Sequence, residues 1–305
     1  PPRLTRVAEE YGLSPTFAMD LTTVDEVDGV AWDFNEEWIQ RKALDRLEQQ
    51  KPGVVMLCPT CAPFSRLQAW NFPRMDKKSV EELLENGMRH LCFAALICVL
   101  QHRAGRYFIF EHPDCADSWR TKVLNMVSKI PGVVGTKFDF CMLGMVGEDE
   151  LGEAPARKTT GIMTNGRIIA EVISACRCDG THRHVQLLHG RAKACEIYPE
   201  AFCRKLCEAY VLQLETDERE RKGLMSVGET VDVTPVMGPL VEKEVGISRS
   251  KEEARAYMKQ VEEEIIRSEG QGFYDEVICR AKDTVGGEVD VEECGKEQND
   301  EYGNG

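Results

Sequence analysis

The sequence predicts an α/β protein: an open parallel sheet that lacks its first strand, followed by an acidic tail that is largely disordered or helical. Three observations carry this. Helix-type and short apolar β-type stretches alternate along residues 1–212, the rhythm of parallel strands joined by crossover helices. The order opens helix, strand, helix, strand, so the strand that should come before the opening helix is missing. Charge divides the chain: residues 1–215 carry 26 basic and 29 acidic side chains, and the last 90 carry 12 and 23, so most of the net charge of −14 belongs to the tail. This sets a domain at 1–212 and an acidic linker or tail at 213–305. The nearly neutral body has no global electrostatic footprint for nucleic acid, though a local basic face remains open.

The elements follow in order. Residues 3–11 have helix composition, with Val7 and Tyr11 four apart and Gly12 as a C-cap. Residues 16–21 read as a strand ending in Asp20, a carboxylate placed either to take ribose hydroxyls or to cap the next turn. After an acidic loop come Trp32, Asp33 and Phe34. Asn35 then caps a helix in which Trp38, Leu44 and Leu47 recur at helical spacing until Pro52-Gly53 stops it. Residues 54–65 are an apolar strand running into a Pro-punctuated turn, which puts Cys61 and Ser65 at the strand's carboxyl end. A thiol held there beside helix amides suits a nucleophile, and a buried core cysteine is the plainer alternative.

Arg66, Trp70, Phe72 and Arg74 form an aromatic and basic loop, fit either to hold a nucleic-acid strand or to pack as a lid. Ser79 with Glu82 reads as a capping box opening a helix that runs through the apolar residues 91–100, a core segment too short to span a bilayer. Residues 107–110 are the next strand, closed by Glu111-His112-Pro113. A helix starting at Trp119, a strand over 135–143, an acidic connecting loop over 147–154 and a basic strand entry over 157–165 follow. Cys176, Cys178, His182 and His184 form a compact set of sulfur and imidazole donors suited to tetrahedral zinc; phosphate contact or plain loop histidines are the other readings. A helix with Phe202, Leu206 and Tyr210 at spacing four precedes the tail, in which one charged helix is expected over about 250–268. The thirteen scattered cysteines argue for reduced thiols and hence the nucleus or cytoplasm, and the short apolar run at 91–100, with no leader opening the chain, leads to the expectation of a soluble protein with no membrane.

The strand and turn at Cys61, Phe64 and Ser65, with Glu111 at a second strand end, resemble the catalytic loops of the DNA cytosine-5 methyltransferases. Tyr198-Pro199 and Arg157 match that family's later segments more loosely. Thr60 and Ala62 stand where Pro and Gln are usual, and His112-Pro113 where Asn-Val is usual. The resemblance covers about residues 1–212 and is nearest to divergent methyltransferase-like modules of transposon polyproteins. It implies a Rossmann-like methyltransferase sheet, S-adenosylmethionine as cofactor, DNA more than RNA as partner, and other segments of a longer polyprotein as neighbours. It also implies roles: Cys61 as nucleophile, with Ser65 in its loop; Glu111 on the pyrimidine ring nitrogen; Arg157, or Lys158, facing the pyrimidine carbonyl or a phosphate. Asp20, Asp33, Phe34 and Pro59 would hold the cofactor. The alternative is a catalytically decayed nucleic-acid-binding or assembly module, and a third reading is a zinc-dependent nucleic-acid enzyme built on the Cys/His set.

Overall fold

The computed structural model describes residues 2–187 and 191–223. Most of the acidic tail, including the helix expected over about 250–268, lies outside the described residues. The opening helix α1 (Arg3–Glu10) buries Val7 against Cys203 and Cys207. Residues 16–21 are not a strand: Phe17 and Met19 pack sideways on a core cluster without joining a ladder, and the neighbouring backbone pairs only at an isolated bridge between Val24 and Ala31. Helix α2 (Glu37–Gln50) buries Ile39, Ala43 and Leu47, and ends at Lys51 in a left-handed conformation (φ 45°) before Pro52.

Strand β1 (Val54–Leu57) leads through a 3-10 turn at Ala62–Phe64 into the single-turn helix α3 (Arg66–Ala69). Helix α4 (Lys77–Arg103) starts earlier than its sequence suggests. Asp76 is the cap: its carboxylate accepts from the Ser79 amide at 2.9 Å and from the Ser79 hydroxyl at 2.6 Å, so Ser79 lies inside the first turn. By length and composition α4 could cross a bilayer, but Leu91, Ala95, Cys98 and Val99 are fully buried against the sheet. It is a core helix.

Strand β2 (Tyr107–Pro113) runs through Glu111, His112 and Pro113 rather than stopping at Phe110. Thr121 caps α5 (Lys122–Ser128), with Trp119 in the 3-10 turn before it; β3 (Val134–Asp139) follows and gives way to a 3-10 turn at Phe140–Leu143. The stretch expected to be a connecting loop is a hairpin, β4 (Val146–Asp149) with β5 (Gly152–Pro155). Strand β6 (Thr159–Thr164) and helix α6 (Arg167–Ser174) come next. Helix α7 (Glu200–Arg221) carries regular structure past residue 212.

The sheet has the order β1-β2-β6-β3 and is mixed, not parallel throughout: β1 and β2 are parallel, while β6 is antiparallel to both its neighbours. The period-2 alternation of β2 separates two cores. Phe108 and Phe110 face α4 and α5 with Leu91, Cys98 and Leu124, and Ile109 faces α6 and α7 with Ile162, Ile169 and Phe202. By the same alternation Glu111 must point to the α7 side and His112 to the α4 side.

One glycine fixes the Cys61 turn against the body. A Cβ at Gly87 of α4 would lie 2.6 Å from Pro63 Cγ, a contact the rigid ring cannot relieve. Gly87→Ala should gain at most about 1 kcal/mol from helix propensity and lose about 1–3 kcal/mol from overpacking. Net destabilisation in a denaturant titration is the expected result, and a stabilised variant would show that the turn does not seat there.

Candidate functional site

Strand β1 ends at Leu57, paired with Phe110, so Cys58 comes level with Glu111 as the chain leaves the sheet. The turn then closes locally: the Phe64 amide donates to the Cys61 carbonyl at 3.0 Å, and Phe64 is buried in the α4-side core. Cys61 is half-buried. The chain before it is held by His112, whose Nε2 lies 3.0 Å from the Pro59 carbonyl and whose Nδ1 lies 2.6 Å from Ser118 Oγ. A carbonyl only accepts, so Nε2 carries the proton and Nδ1 takes the Ser118 hydroxyl hydrogen. Burial pushes His112 down to about 4, which keeps the ring neutral and both bonds intact at physiological pH. The residue that departs from the family pattern is thus a strut tying the Cys61 turn to β2. Its signal in the sequence was only its place one residue past Glu111.

Glu111 is buried on the opposite face. Its Oε2 accepts from the Tyr198 hydroxyl at 2.5 Å, and its Oε1 is buried with no hydrogen-bond partner among the described residues. Burial raises its pKa above the carboxylate range, against the opposing pull of Lys158 and Tyr198. Burial likewise pushes up the Cys61 thiol, with Lys158 opposing and Glu111 adding. Cys58 is exposed on the wall of a cavity, and desolvation and then Glu111 drive its thiol upward. Tyr198 is stacked on Phe140 at 5.7 Å, and the Lys158 ammonium sits over the same ring at 5.4 Å. Cys58, Cys61, Glu111, Tyr198 and Lys158 therefore share one electrostatic neighbourhood.

A cavity of about 1050 Å³ runs along the outer edge of β1 and is lined, among others, by Asp20, Trp32, Phe34, Cys58, Pro59 and Tyr198. Three of the four residues expected to hold the cofactor are thus on its wall. Asp20 is there through a turn, not a strand end, since its carboxylate accepts from the Thr22 amide at 2.8 Å and the Thr22 hydroxyl at 2.6 Å. Asp33 accepts from the Asn35 amide at 3.0 Å in the turn before α2. Phe34 packs on Phe93 at 5.1 Å. Ser65 occupies the N-cap position of α3 without a capping hydrogen bond from its side chain.

Arg157 does not face the Cys61 turn; its Nε lies 3.3 Å from Asp139, at the end of β3. Asp139 is fully buried and gathers four donors: Thr159 Oγ1 at 2.6 Å, the Cys178 amide at 2.9 Å, Arg157, and Arg177 Nε at 3.4 Å. Burial works to raise its pKa, but these donors outweigh it and hold the carboxyl below its usual range. Beyond that carboxylate lies the Cys/His set, with one member exchanged. Cys141, Cys178, His182 and His184 bring their donor atoms within 4.8 Å of one another, and these four could hold a metal ion. Cys176 is not among them: it is buried against the α6–α7 core with its sulfur 3.9 Å from the Val172 carbonyl. One residue separates Cys176, packed at the end of α6, from Cys178 on the loop, and the turn between them sends the two thiols to different surroundings. Cys141 arrives from the 3-10 turn after β3, remote in sequence, and no local spacing signalled it.

Comparison of the chain with protein-family models, with curated proteins and with solved structures finds no match to any of them.

Proposed function

We propose that this chain is a cytosine-5 methyltransferase-like module that uses S-adenosylmethionine, with Cys61 as nucleophile and Glu111 as the acid on the base. The observation that carries the reading is Glu111. A buried carboxyl whose pKa desolvation raises, with one oxygen bonded to Tyr198 and the other without a partner among the described residues, leaves that second oxygen to meet a ring nitrogen. It stands level with the strand end that launches the Cys61 turn.

The fit to the cofactor rests on the cavity beside β1. Phe34 and Trp32 offer aromatic walls for an adenine, Asp20 an acceptor for ribose hydroxyls, and Pro59 brings the wall up to the cysteine turn. Bound there, S-adenosylmethionine would supply an electrophilic methyl group. The chain's own residues do the rest. Cys61, its proton released to water, would add as thiolate to carbon 6 of a cytosine flipped from the stack, while the Glu111 carboxyl passes its proton to ring nitrogen 3, so that the electron pair of the carbon 5–carbon 6 double bond collects at carbon 5. Once carbon 5 carries the methyl group, its hydrogen would leave as a proton to water, the C–H electrons re-form the carbon 5–carbon 6 double bond, the sulfur departs with its bonding pair as thiolate, and nitrogen 3 returns its proton to Glu111. Lys158 favours both the Cys61 thiolate and the Glu111 carboxylate, and Tyr198 holds the carboxyl in place. Trp70, exposed, and Arg74 follow the nucleophile in sequence and suit base stacking and phosphate contact.

DNA carrying 5-fluorocytosine tests this, because fluorine blocks the final loss from carbon 5. An adduct that survives denaturation, formed with S-adenosylmethionine and absent in Cys61→Ser, is the expected result; no adduct from folded, cofactor-binding protein would remove the catalytic reading. The second reading, a non-catalytic nucleic-acid module, is favoured by the engagement of Arg157 with Asp139 instead of the site. That module would bind DNA without binding S-adenosylmethionine.

A further inference from the structure

We infer that Cys141, Cys178, His182 and His184 form a closed structural zinc site, in which Cys141 takes the place that the local sequence offers to Cys176. The donor chemistry is two thiols and two imidazoles, the set that zinc takes with four protein ligands and no open position. The spacing of the donors agrees. In a tetrahedral zinc site the sulfur-to-nitrogen edge is about 3.5 Å, from bond lengths of about 2.3 Å to sulfur and about 2.0 Å to nitrogen. Cys178 Sγ lies 3.7 Å from His182 Nε2 and 3.4 Å from His184 Nε2.

The surroundings are those of a ligand cluster rather than of a chance meeting of polar side chains. The Gly180 amide donates to Cys178 Sγ at 3.3 Å, a bond that favours a sulfur carrying negative charge. Asp139 fixes the Cys178 backbone through its amide at 2.9 Å, and its own position in β3 is two residues before Cys141, so one buried carboxylate sets both sulfur-bearing segments. The two histidine rings lie 4.6 Å apart, edge to face, with both Nε2 atoms turned to the same sulfur. All four residues are half-buried, accessible enough for an ion to enter and sheltered enough to keep it.

The reason for a metal here lies in the fold. Between α6 and the 3-10 turn at Arg191–Glu196 the described residues form no helix or strand, and the loop is tied to the body by hydrogen bonds at separate residues, among them the Asp139 amide to the Cys176 carbonyl at 2.9 Å, Arg183 to Asp149 at 2.6 Å and the Val185 amide to the Pro155 carbonyl at 2.9 Å, besides the contacts to Asp139 already described. An ion bound by Cys141 from one segment and by three residues of this loop would close it onto the end of β3. The inference does not depend on methyl transfer.

The test uses the whole 305-residue chain. Elemental analysis should find one zinc per chain in the wild type and in Cys176→Ala, with at least a tenfold loss in Cys178→Ala and Cys141→Ala. X-ray absorption on the wild type should show two sulfurs and two nitrogens around the metal. Alkylation mapped by mass spectrometry should label Cys141 and Cys178 only after chelation, a wild-type readout that stands even if a variant fails to fold. Metal-free protein that takes up no added zinc, a preference for another metal, a shell other than two sulfurs and two nitrogens, or loss of zinc in Cys176→Ala with retention in Cys141→Ala would each overturn the assignment.

Discussion

Cys61→Ala is expected to lower methyl transfer by at least about 10⁴-fold, the scale on which removal of a covalent nucleophile is felt, while leaving the fold intact. The turn does not rest on the thiol. Phe64 in the core, Pro63 against Gly87, and His112 bonded to the Pro59 carbonyl hold the backbone on both sides of it. The change in stability should therefore stay within about 1 kcal/mol, read from the denaturant midpoint. Turnover by the purified variant at a tenth of the wild-type rate or more would end the case for Cys61 as nucleophile. A variant that lost activity only by unfolding would show that the thiol belongs to the core.

Glu111→Gln should lower turnover by about 10²–10⁴-fold and at the same time alter how stability depends on pH. Burial raises the pKa of Glu111, so the native state holds the proton more tightly than the unfolded chain does. Its contribution is fully present below the unfolded carboxyl value of about 4.3 and is lost as pH rises through the folded value. Glutamine keeps the shape and an acceptor for the Tyr198 hydroxyl but has no proton to lose. Relative to the wild type, the variant should gain stability as pH climbs, measured as the difference in melting temperature across that window. A group that costs stability in its ionised form and supports turnover has the profile of a functional residue. Equal turnover, or parallel stability curves, would contradict it.

Much of the sheet and half of the candidate site could be read without coordinates, and the dividing line is locality. Cys61 and Glu111 each follow a short apolar run, and strand ends in one sheet are brought together by topology alone, so two local signals implied their meeting. Residues 16–21 show where such a signal misleads: Phe17 and Met19 satisfy an apolar pattern by packing beside α2 and the outer face of α4, with no ladder. The hairpin of β4 and β5 was hidden for the opposite reason, since exposed acidic residues alternate there with half-buried ones and few large apolar side chains announce a strand. His112 stands where Asn is usual in the resembled pattern, and identity alone gives it no role; its two hydrogen bonds exist only once Pro59 and Ser118 surround it. Cys141 and Arg157 fail the same way. Neighbours in the chain say nothing of either, whereas Asp139, buried at the end of β3, takes Arg157 and the Cys178 amide and stands two residues before Cys141.

Among the described residues strand β1 has a ladder on one side only, with the cavity along the other. Half of its peptide groups thus gain nothing from the sheet, and the free energy needed to lift it away is well below that needed to open β2, which is bonded on both sides. Local opening at the Cys61 turn and global unfolding are then separate events on separate timescales. The turn can loosen and re-form while the β2, β6 and β3 body stays closed, and stability measured on the whole domain will not report on that movement.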